Sequence, residues 1–161
     1  MSDALRSKFE NISTGSSFAG ISLLRDLLIP DLLTTNTKEI SYWAGKQLAR
    51  EVALPDIETI QNYFVMFGFG ALTLTKQKQN QYYFDLQGDP VIERLAMNDA
   101  ADFHLETGFL AQQLQQELGV IVEGICEVDH KHSLVHITIQ SDPKDPADFD
   151  TTQDQSEKMV D

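Results

Sequence analysis

The spacing of apolar residues changes at Gly68-Phe69-Gly70, and this change constrains the fold more than any other feature of the chain. Before this point, apolar residues recur every three or four positions, which predicts amphipathic helices. After it, apolar and polar residues alternate over two short segments that flank a polar turn, which predicts a β-hairpin. Helices followed by strands favour an α+β fold, in which helices cover one face of a twisted, mainly antiparallel sheet.

Four helices are predicted, over residues 18–29, 40–50, 55–67 and 105–118. The residue before a proline disfavours helix, so the first helix is expected to end before Pro30. Asn36 and Glu39 have the spacing of a capping box ahead of the second helix. Gly119 follows the last apolar position of the fourth helix, where glycine commonly ends helices.

The strands are predicted in two pairs. One pair is the hairpin over residues 72–86, and the other comprises residues 120–128 and 133–140. Residues 91–97 fit either a third strand or a helical turn, because the apolar pattern there is too short to decide. No internal repeat is visible, so one sheet covered by helices is expected.

The chain has 161 residues and a formal net charge of −13. Such a charge repels nucleic acid and anionic membranes, so neither is an expected partner. No segment approaches the roughly 20 apolar residues that span a bilayer, and the N-terminus has no secretory signal pattern, so a cytoplasmic location without a membrane span is expected. We expect a flexible segment over residues 1–17, a single α+β domain over residues 18–140, and an acidic disordered tail over residues 141–161.

The predicted helix over residues 40–50 carries three stripes of side chains at helical spacing. They are an apolar seam of Ile40, Ala44, Leu48 and Trp43, a row of small residues at Ser41, Gly45 and Ala49, and a flank of Tyr42, Lys46 and Arg50. A glycine inside a helix costs about 1 kcal/mol relative to alanine, which indicates a packing role for Gly45. The small row either pairs two copies in a homodimer or seats the helix that begins near Pro55. The large apolar helix surface over residues 18–67 favours the homodimer.

Four segments carry a resemblance to a known family: Leu24–Pro30, Ile40–Arg50, Gly68–Gly70 and Leu105–Ala111. The chain resembles the YslB-like family of uncharacterised bacterial proteins over about residues 18–140, and the four segments follow one another in the same order. That family is similar to the superfamily of 4-vinyl-reductase-type domains, transport-particle (TRAPP) subunits and heme nitric-oxide-binding domains. The resemblance implies helices packed on an antiparallel sheet. It also implies that acyl chains, small molecules or heme bind between helices and sheet, or that helix faces form dimers.

Two departures from this superfamily argue against a cofactor. The heme-binding relatives need an axial histidine and a Tyr-x-Ser-x-Arg run, and the chain has no such run. The 4-vinyl-reductase-type domains carry several cysteines near the last strands, whereas Cys126 is the only cysteine here. A single cysteine also excludes an intramolecular disulfide and a multi-cysteine zinc site. We therefore expect no cofactor and no metal.

The candidate ligand- or partner-binding residues are Arg25, Tyr42, Trp43, Lys46, Arg50, Glu106 and Phe109. The basic and aromatic members would suit an anionic head group or a partner's carboxylate. Alternatively, ordinary salt bridges neutralise them. The carboxylates available for that role are Glu39, Glu51, Asp26 and Glu106. If Glu106 is buried, we expect Lys46 or Arg25 as its partner and a role in helix packing. Trp43 and Phe64 are interpreted as core aromatics.

The register of the last two strands decides what Cys126 can do. A two-residue turn at residues 130–131 pairs Cys126 with Val135. In that register Cys126 and His136 lie on opposite faces of the sheet, so they cannot share a metal or act as nucleophile and base. Cys126 is then a small core residue. A metal held by the acidic and histidine residues of the turn is the less favoured interpretation, because solvated turn residues are commoner.

No nucleophile elbow, phosphate loop or paired-carboxylate motif is present, so the chain specifies no catalytic mechanism. The preferred hypothesis is a non-enzymatic binding module that holds a small apolar ligand between helices and sheet. The alternative is an adaptor that binds proteins through its helix faces and holds no ligand. A closed apolar cavity would favour the first, a solid core with a large apolar helix face the second, and a cleft of converging titratable groups an enzyme.

Overall fold

The computed structural model of the chain describes residues 18–147. The helices are α1 (Phe18–Ser22), α2 (Ile29–Leu33), α3 (Thr37–Glu51), α4 (Ile57–Met66), α5 (Asp89–Met97) and α6 (His104–Leu118). The strands are β1 (Ala71–Lys78), β2 (Gln81–Gln87), β3 (Val120–Asp129) and β4 (Leu134–Pro146). The strands form an antiparallel sheet in the order β1-β2-β4-β3, with helices packed against it, which confirms the predicted α+β fold. The N-terminal segment expected over residues 1–17 lies outside the described residues.

Residues 18–33 form one continuous helix, called here the N-terminal helix, which consists of α1, a π-helical turn at Leu23–Leu28 and α2. We expected it to end before Pro30, but it continues past the proline for another turn. The amide of Ile29 donates to Leu24 O, five residues back, as in a π-helix. The wider π-helical turn relieves the clash between the proline ring and the preceding turn that ends most helices.

A short 3-10 turn at Thr34–Asn36 joins the N-terminal helix to α3. Thr34 has a positive φ of 53°, an uncommon conformation for a β-branched residue. α3 begins at Thr37, earlier than predicted, and Asn36 makes no side-chain capping bond. The expected capping box is therefore absent. A hydrogen bond from Thr37 Oγ1 to Thr34 O (2.8 Å) organises this helix start instead.

The helix α4, which was predicted over residues 55–67, and the hairpin after it confirm the change of period at Gly68-Phe69-Gly70. Asp56 caps α4 by accepting the amide of Thr59 at 2.7 Å. The strands β1 and β2 then pair along their length except at a bulge around Thr75. Residues 79–80 form the turn between them, with Gln79 at a φ of 43°. Residues 91–97, which fitted two interpretations, form part of α5. α6 ends at Gly119 in the left-handed conformation, as predicted.

The last two strands are shifted by two residues from the predicted register. Cys126 pairs with Ile137 instead of Val135, because the loop between the strands holds residues 130–133 rather than two residues. A shift of two preserves the faces, so Cys126 and His136 still lie on opposite sides of the sheet.

The strand β4 also runs further than expected. It continues to Pro146, which pairs with Val120, so the prediction of disorder is wrong for residues 141–146. Acidic residues and prolines suggested a tail, but pairing with an edge strand keeps this segment extended. Residues 148–161 lie outside the described part of the chain.

The core fills the space between α6 and the inner face of the sheet. Its largest fully buried side chains include Phe64, Phe84, Phe103, Phe109, Leu110 and Ile137. The interpretation of Phe64 as a core aromatic is confirmed, whereas that of Trp43 is wrong, since Trp43 is 58% exposed. Trp43 is outside the core because α3 packs through its small row and not through its apolar seam.

The small row of α3 packs against α6. A Cβ added at Gly45 would lie 2.0 Å from Leu105 O, and one added at Gly108 would lie 2.0 Å from Tyr42 O. The two backbones are thus in contact at their crossing, which explains both glycines. The row therefore belongs to the interior of one chain, and neither a second copy nor the helix that begins near Pro55 occupies it.

Candidate functional site

A group of four charged side chains, called here the charge cluster, fastens the N-terminal helix to α5 and α6. Arg94 Nη2 donates to Asp26 Oδ1 at 2.7 Å, and Arg94 Nη1 donates to Glu106 Oε1 at 3.3 Å. Arg25 Nη2 donates to the other oxygen of Glu106. Two guanidinium groups are thus balanced by two carboxylates.

The charge cluster is almost fully removed from water. Glu106 is 0% exposed, and Asp26 and Arg94 are nearly as deeply buried. Burial acts to lower the pKa of Arg94, but the hydrogen bond with Asp26 and the charges of Glu106 and Asp26 outweigh it and raise that pKa. The guanidinium of Arg94 also lies over the ring of Phe103, 4.3 Å from its centroid. The charges stabilise one another, which suits a positioning role better than acid–base chemistry.

Sequence reasoning found only part of this cluster. Of the two partners expected for Glu106, Arg25 contacts it and Lys46 does not. Arg94 was missed, although a signal was present, because it shares the apolar face of α5 with the buried residues Val91 and Leu95. A charged residue on the buried face of a helix indicates a buried partner.

The N-terminal helix turns its polar side inward and its apolar side outward. Ser22 and Asp26 are buried against the body of the protein, whereas Leu27 and Leu32 are 63% and 69% exposed. We call the exposed apolar side chains of the first two long helices the outer helical face. It comprises Ile21, Leu23, Leu24, Leu27, Leu28, Ile29 and Leu32 in the N-terminal helix, with Ile40, Trp43 and Leu48 in α3. A surface helix normally has the opposite orientation, so this face is the most unusual surface of the described residues.

The helix α3 is held by a second polar group, called here the edge cluster, on the outer edge of β3. Tyr42 OH donates to Glu123 Oε2 at 2.7 Å and accepts the amide of Gly124 at 3.0 Å. Lys46 Nζ donates to Val122 O at 3.0 Å and to Glu123 Oε1 at 3.2 Å. These bonds satisfy main-chain groups that an edge strand would otherwise expose.

The edge cluster contains two of the basic and aromatic candidates, Tyr42 and Lys46. Burial, and then the hydrogen bond with Glu123, raises the pKa of Tyr42, so its hydroxyl stays neutral and can donate. Glu123 was not among the carboxylates we considered. Arg50 lies apart from the cluster on the surface and contacts Gln47. Trp43 lies beside Lys46, with Lys46 Nζ 5.5 Å from a ring centroid.

A third group, called here the thiol cluster, joins Asp102, His104 and Cys126. His104 Nδ1 lies 2.5 Å from Asp102 Oδ1 and 3.8 Å from Cys126 Sγ. We did not predict this contact, because the cysteine was compared only with histidines near it in the sequence. The helix α6 brings His104 to the inner face of β3, and this pairing of distant segments leaves no local sequence pattern.

Three depressions of about 390, 430 and 550 Å³ lie on the surface away from the helices. Strands β1, β2 and β4 line the first, and the ends of strands around Asn80 and Gln140 line the other two. None of the three lies between helices and sheet. Phe109, a candidate for ligand contact, is instead fully buried. Its ring stacks on that of Tyr63, with 6.0 Å between the ring centroids.

Comparison with known proteins agrees with the segments that suggested a family. Residues 18–140 match the family described as "Protein of unknown function (DUF2507)". The chain belongs to this family. It is also 35% identical over 124 residues to the uncharacterised protein YslB of Bacillus subtilis, covering 77% of this chain and 84% of that protein. The resemblance to the YslB-like family is therefore confirmed.

Two solved structures share the fold. A vinyl-4-reductase family protein from Methanocaldococcus jannaschii aligns with a TM-score of 0.60 and 16% identity, covering 88% of this chain and 97% of that one. The phenol-responsive sensory domain of the transcription activator PoxR, solved with phenol, aligns with a TM-score of 0.56 and 12% identity. This alignment covers 88% of this chain and 92% of that one. Within residues 18–147, no helix has the length and apolar composition needed to cross a membrane.

Proposed function

We propose that this protein is a non-enzymatic interaction module that binds another protein through its outer helical face, and that the partner is a second copy of the same chain. The observation that carries the proposal is the inverted orientation of the N-terminal helix. Its charges Arg25 and Asp26 are paired inside the chain, which leaves a surface of mainly apolar side chains for contact with a partner. The small row, which first suggested a homodimer, plays no part in this interface.

The exposed apolar surface is sufficient for a stable dimer. The seven exposed side chains of the N-terminal helix amount to about three and a half fully exposed aliphatic residues. Burial of each full residue contributes about 1.5–3 kcal/mol, so two copies gain roughly 10–20 kcal/mol. Association costs about 4–15 kcal/mol, because the two copies lose translational and rotational freedom and their interface side chains become ordered. At the centres of these ranges the net gain is about 5 kcal/mol, a Kd of roughly 0.1 mM. The exposed side chains of Ile40, Trp43 and Leu48 in α3 belong to the same face and add roughly 4–8 kcal/mol when two copies bury them, which brings the expected affinity to about micromolar or tighter.

The chemistry of the face favours a protein over a membrane. Helices that bind membranes present basic residues to the head groups beside their apolar side. Here Arg25 is engaged with Glu106 inside the protein, and the whole chain carries a charge of −13. An apolar patch that packs on the same patch of a second copy needs no opposite charges, which suits the two-fold symmetry of most homodimers.

A ligand between helices and sheet is the weaker hypothesis. The PoxR domain was solved with phenol and shares this fold, which motivates the hypothesis. In this chain, however, aromatic and aliphatic side chains such as Phe84, Phe103 and Phe109 fill that space. A ligand there would require these side chains to move.

The interface is tested by placing charge on it. The double variant Leu27→Glu with Leu32→Glu should be a folded monomer in light scattering at a concentration where the wild type is a dimer. The control is Ile92→Glu, which changes a half-exposed isoleucine on α5 and should remain a dimer. A monomeric wild type at high micromolar concentration, or a dimer that survives both glutamates, contradicts the proposal.

A further inference from the structure

The N-terminal helix docks on the rest of the protein, residues 37–147, called here the body, mainly through polar side chains. Of its described side chains, only Ser22 and Asp26 are buried. Ser22 Oγ has no hydrogen-bond partner among the described residues. Arg25 is partly buried and lies over the ring of Phe69, 5.5 Å from its centroid. The docked helix therefore covers little apolar surface, so its release exposes little to water.

Each ion pair between the helix and the body has one member on each side. Arg25 binds Glu106, and Asp26 binds Arg94. When the helix leaves, Arg94 and Glu106 still contact each other within the body at 3.3 Å, and Arg25 and Asp26 pass into water. Breaking a buried ion pair is costly mainly because it leaves one charge buried without a partner. Release of the whole helix avoids that cost, so the charge cluster can act as a reversible attachment.

The connection between the N-terminal helix and α3 is short and strained. It is the turn Thr34–Asn36, called here the hinge, in which Thr34 has φ 53° and ψ −120°. A β-branched residue rarely adopts a positive φ. With helical angles at Thr34, the N-terminal helix and α3 would form one longer helix, and the N-terminal helix would point away from its own α5 and α6. A short connection under strain favours exchange of the preceding element with a second chain.

We propose that the two copies of the dimer exchange their N-terminal helices, so that Arg25 and Asp26 of one copy complete the charge cluster with Glu106 and Arg94 of the other. Exchange forms the same hydrogen bonds as docking within one chain, and it also relieves the backbone at Thr34. A second copy is the occupant because the docked helix must present an arginine and an aspartate in this order on its inner side. This inference rests on the proposed dimer and adds that the partner supplies two residues of each cluster.

The experiment reverses the charge on one side of the cluster at a time. Asp26→Arg, on the helix, gives a cluster of three positive groups and one negative. Arg94→Asp, on the body, gives three negative groups and one positive. Each variant alone should therefore release its N-terminal helix, whether the helix docks on its own body or on that of a partner.

Mixing the two variants separates these alternatives. In an exchanged dimer the helix of the Arg94→Asp chain, which is unchanged, docks on the unchanged body of the Asp26→Arg chain. The two chains are unfolded together in urea, with Asp26→Arg in excess, and refolded as a mixture. Trypsin cuts after Arg25, which is the only lysine or arginine in residues 18–33 of the Arg94→Asp chain. This cut should be at least about fivefold slower in the mixture than in Arg94→Asp alone, because cleavage follows the population of released helices.

The matched control reverses an ion pair that exchange leaves within one chain. Lys46 Nζ and Glu123 Oε1 are 3.2 Å apart, and both residues follow the hinge. Mixing Lys46→Glu with Glu123→Lys should therefore leave the digestion rate of each chain as it is alone.

A mixture of Asp26→Arg and Arg94→Asp in which the cut is not slowed overturns the exchange. This holds even where one variant folds poorly by itself, since the exchanged partner should restore its attachment. Light scattering on the wild type distinguishes the two proposals. A wild-type dimer with no protection in the mixture refutes exchange alone, whereas a wild-type monomer refutes the dimer and the exchange together.

Discussion

Replacing Glu106 with glutamine preserves the shape of a side chain that is 0% exposed but removes the charge that two arginines share. Glutamine can accept a hydrogen bond from one guanidinium, but its amide group then faces the donors of the other. We therefore expect Glu106→Gln to destabilise the folded chain strongly and to loosen the N-terminal helix first. That helix contacts α5 and α6 through this cluster.

The size of the effect follows from two opposing terms. At hydrogen-bonding distance and an effective dielectric constant of about 20, each attraction between Glu106 and an arginine is worth roughly 4 kcal/mol. Against this, a neutral side chain avoids the several kcal/mol required to take a carboxylate out of water. The expected net loss is about 3–5 kcal/mol, the range for breaking a buried ion pair, out of a total stability of about 5–15 kcal/mol.

The assay is equilibrium unfolding in urea, combined with limited proteolysis to detect early cleavage within residues 18–33. Glu117→Gln is the matched control, because Glu117 lies exposed on the same helix and should change the unfolding free energy by less than about 0.5 kcal/mol. If the two variants had equal stability, the charge cluster would contribute no net stability, and the reasoning on how the N-terminal helix is held would be wrong.

Three further outcomes are expected. Gly45→Ala should cost about 1–3 kcal/mol or more in urea unfolding, because its Cβ would overlap the backbone of α6. Gly20→Ala meets no atom within 4 Å and should be neutral or slightly stabilising. Trp43→Ala, made in the monomeric double-glutamate background, should cost less than about 1 kcal/mol; a loss of 3–5 kcal/mol would show that Trp43 is a core residue after all. The folded-state pKa of His104 is raised from 6.5 to about 10, so the stability from its charged form is fully present below pH 6.5 and is lost as the pH rises through about 10. The difference in unfolding free energy between wild type and His104→Gln should shrink over that interval, and a constant difference would refute this linkage.

Local patterns in the sequence predicted most of the elements. Gly119 ends α6, and Asp56 starts α4, because these residue types satisfy or interrupt backbone hydrogen bonds within a few positions. The class of fold followed from the change of period at Gly68-Phe69-Gly70. Errors of register arose where a loop was longer than the shortest turn, as at residues 130–133.

The orientation of the first helices was beyond the reach of periodicity. A hydrophobic stripe shows that a helix has two sides, but it does not show whether the apolar side faces the core or a partner. Here the buried side is marked by Arg25 and Asp26, two adjacent charges within a run of leucines, and their partners Arg94 and Glu106 are supplied only by tertiary structure. Trp43 was assigned to the core because it lies on an apolar stripe of α3, but that stripe faces away from the core.

Native mass spectrometry tests the central claim most directly, because it reports oligomeric state and bound small molecules in one spectrum. The protein, purified without denaturation and measured at micromolar concentration, should have twice the 18.1 kDa mass of the chain with no additional mass, and the Leu27→Glu, Leu32→Glu variant should have the mass of one chain. A wild-type spectrum that shows a monomer, above all a monomer with a bound small molecule, would contradict an interaction module that acts through its outer helical face.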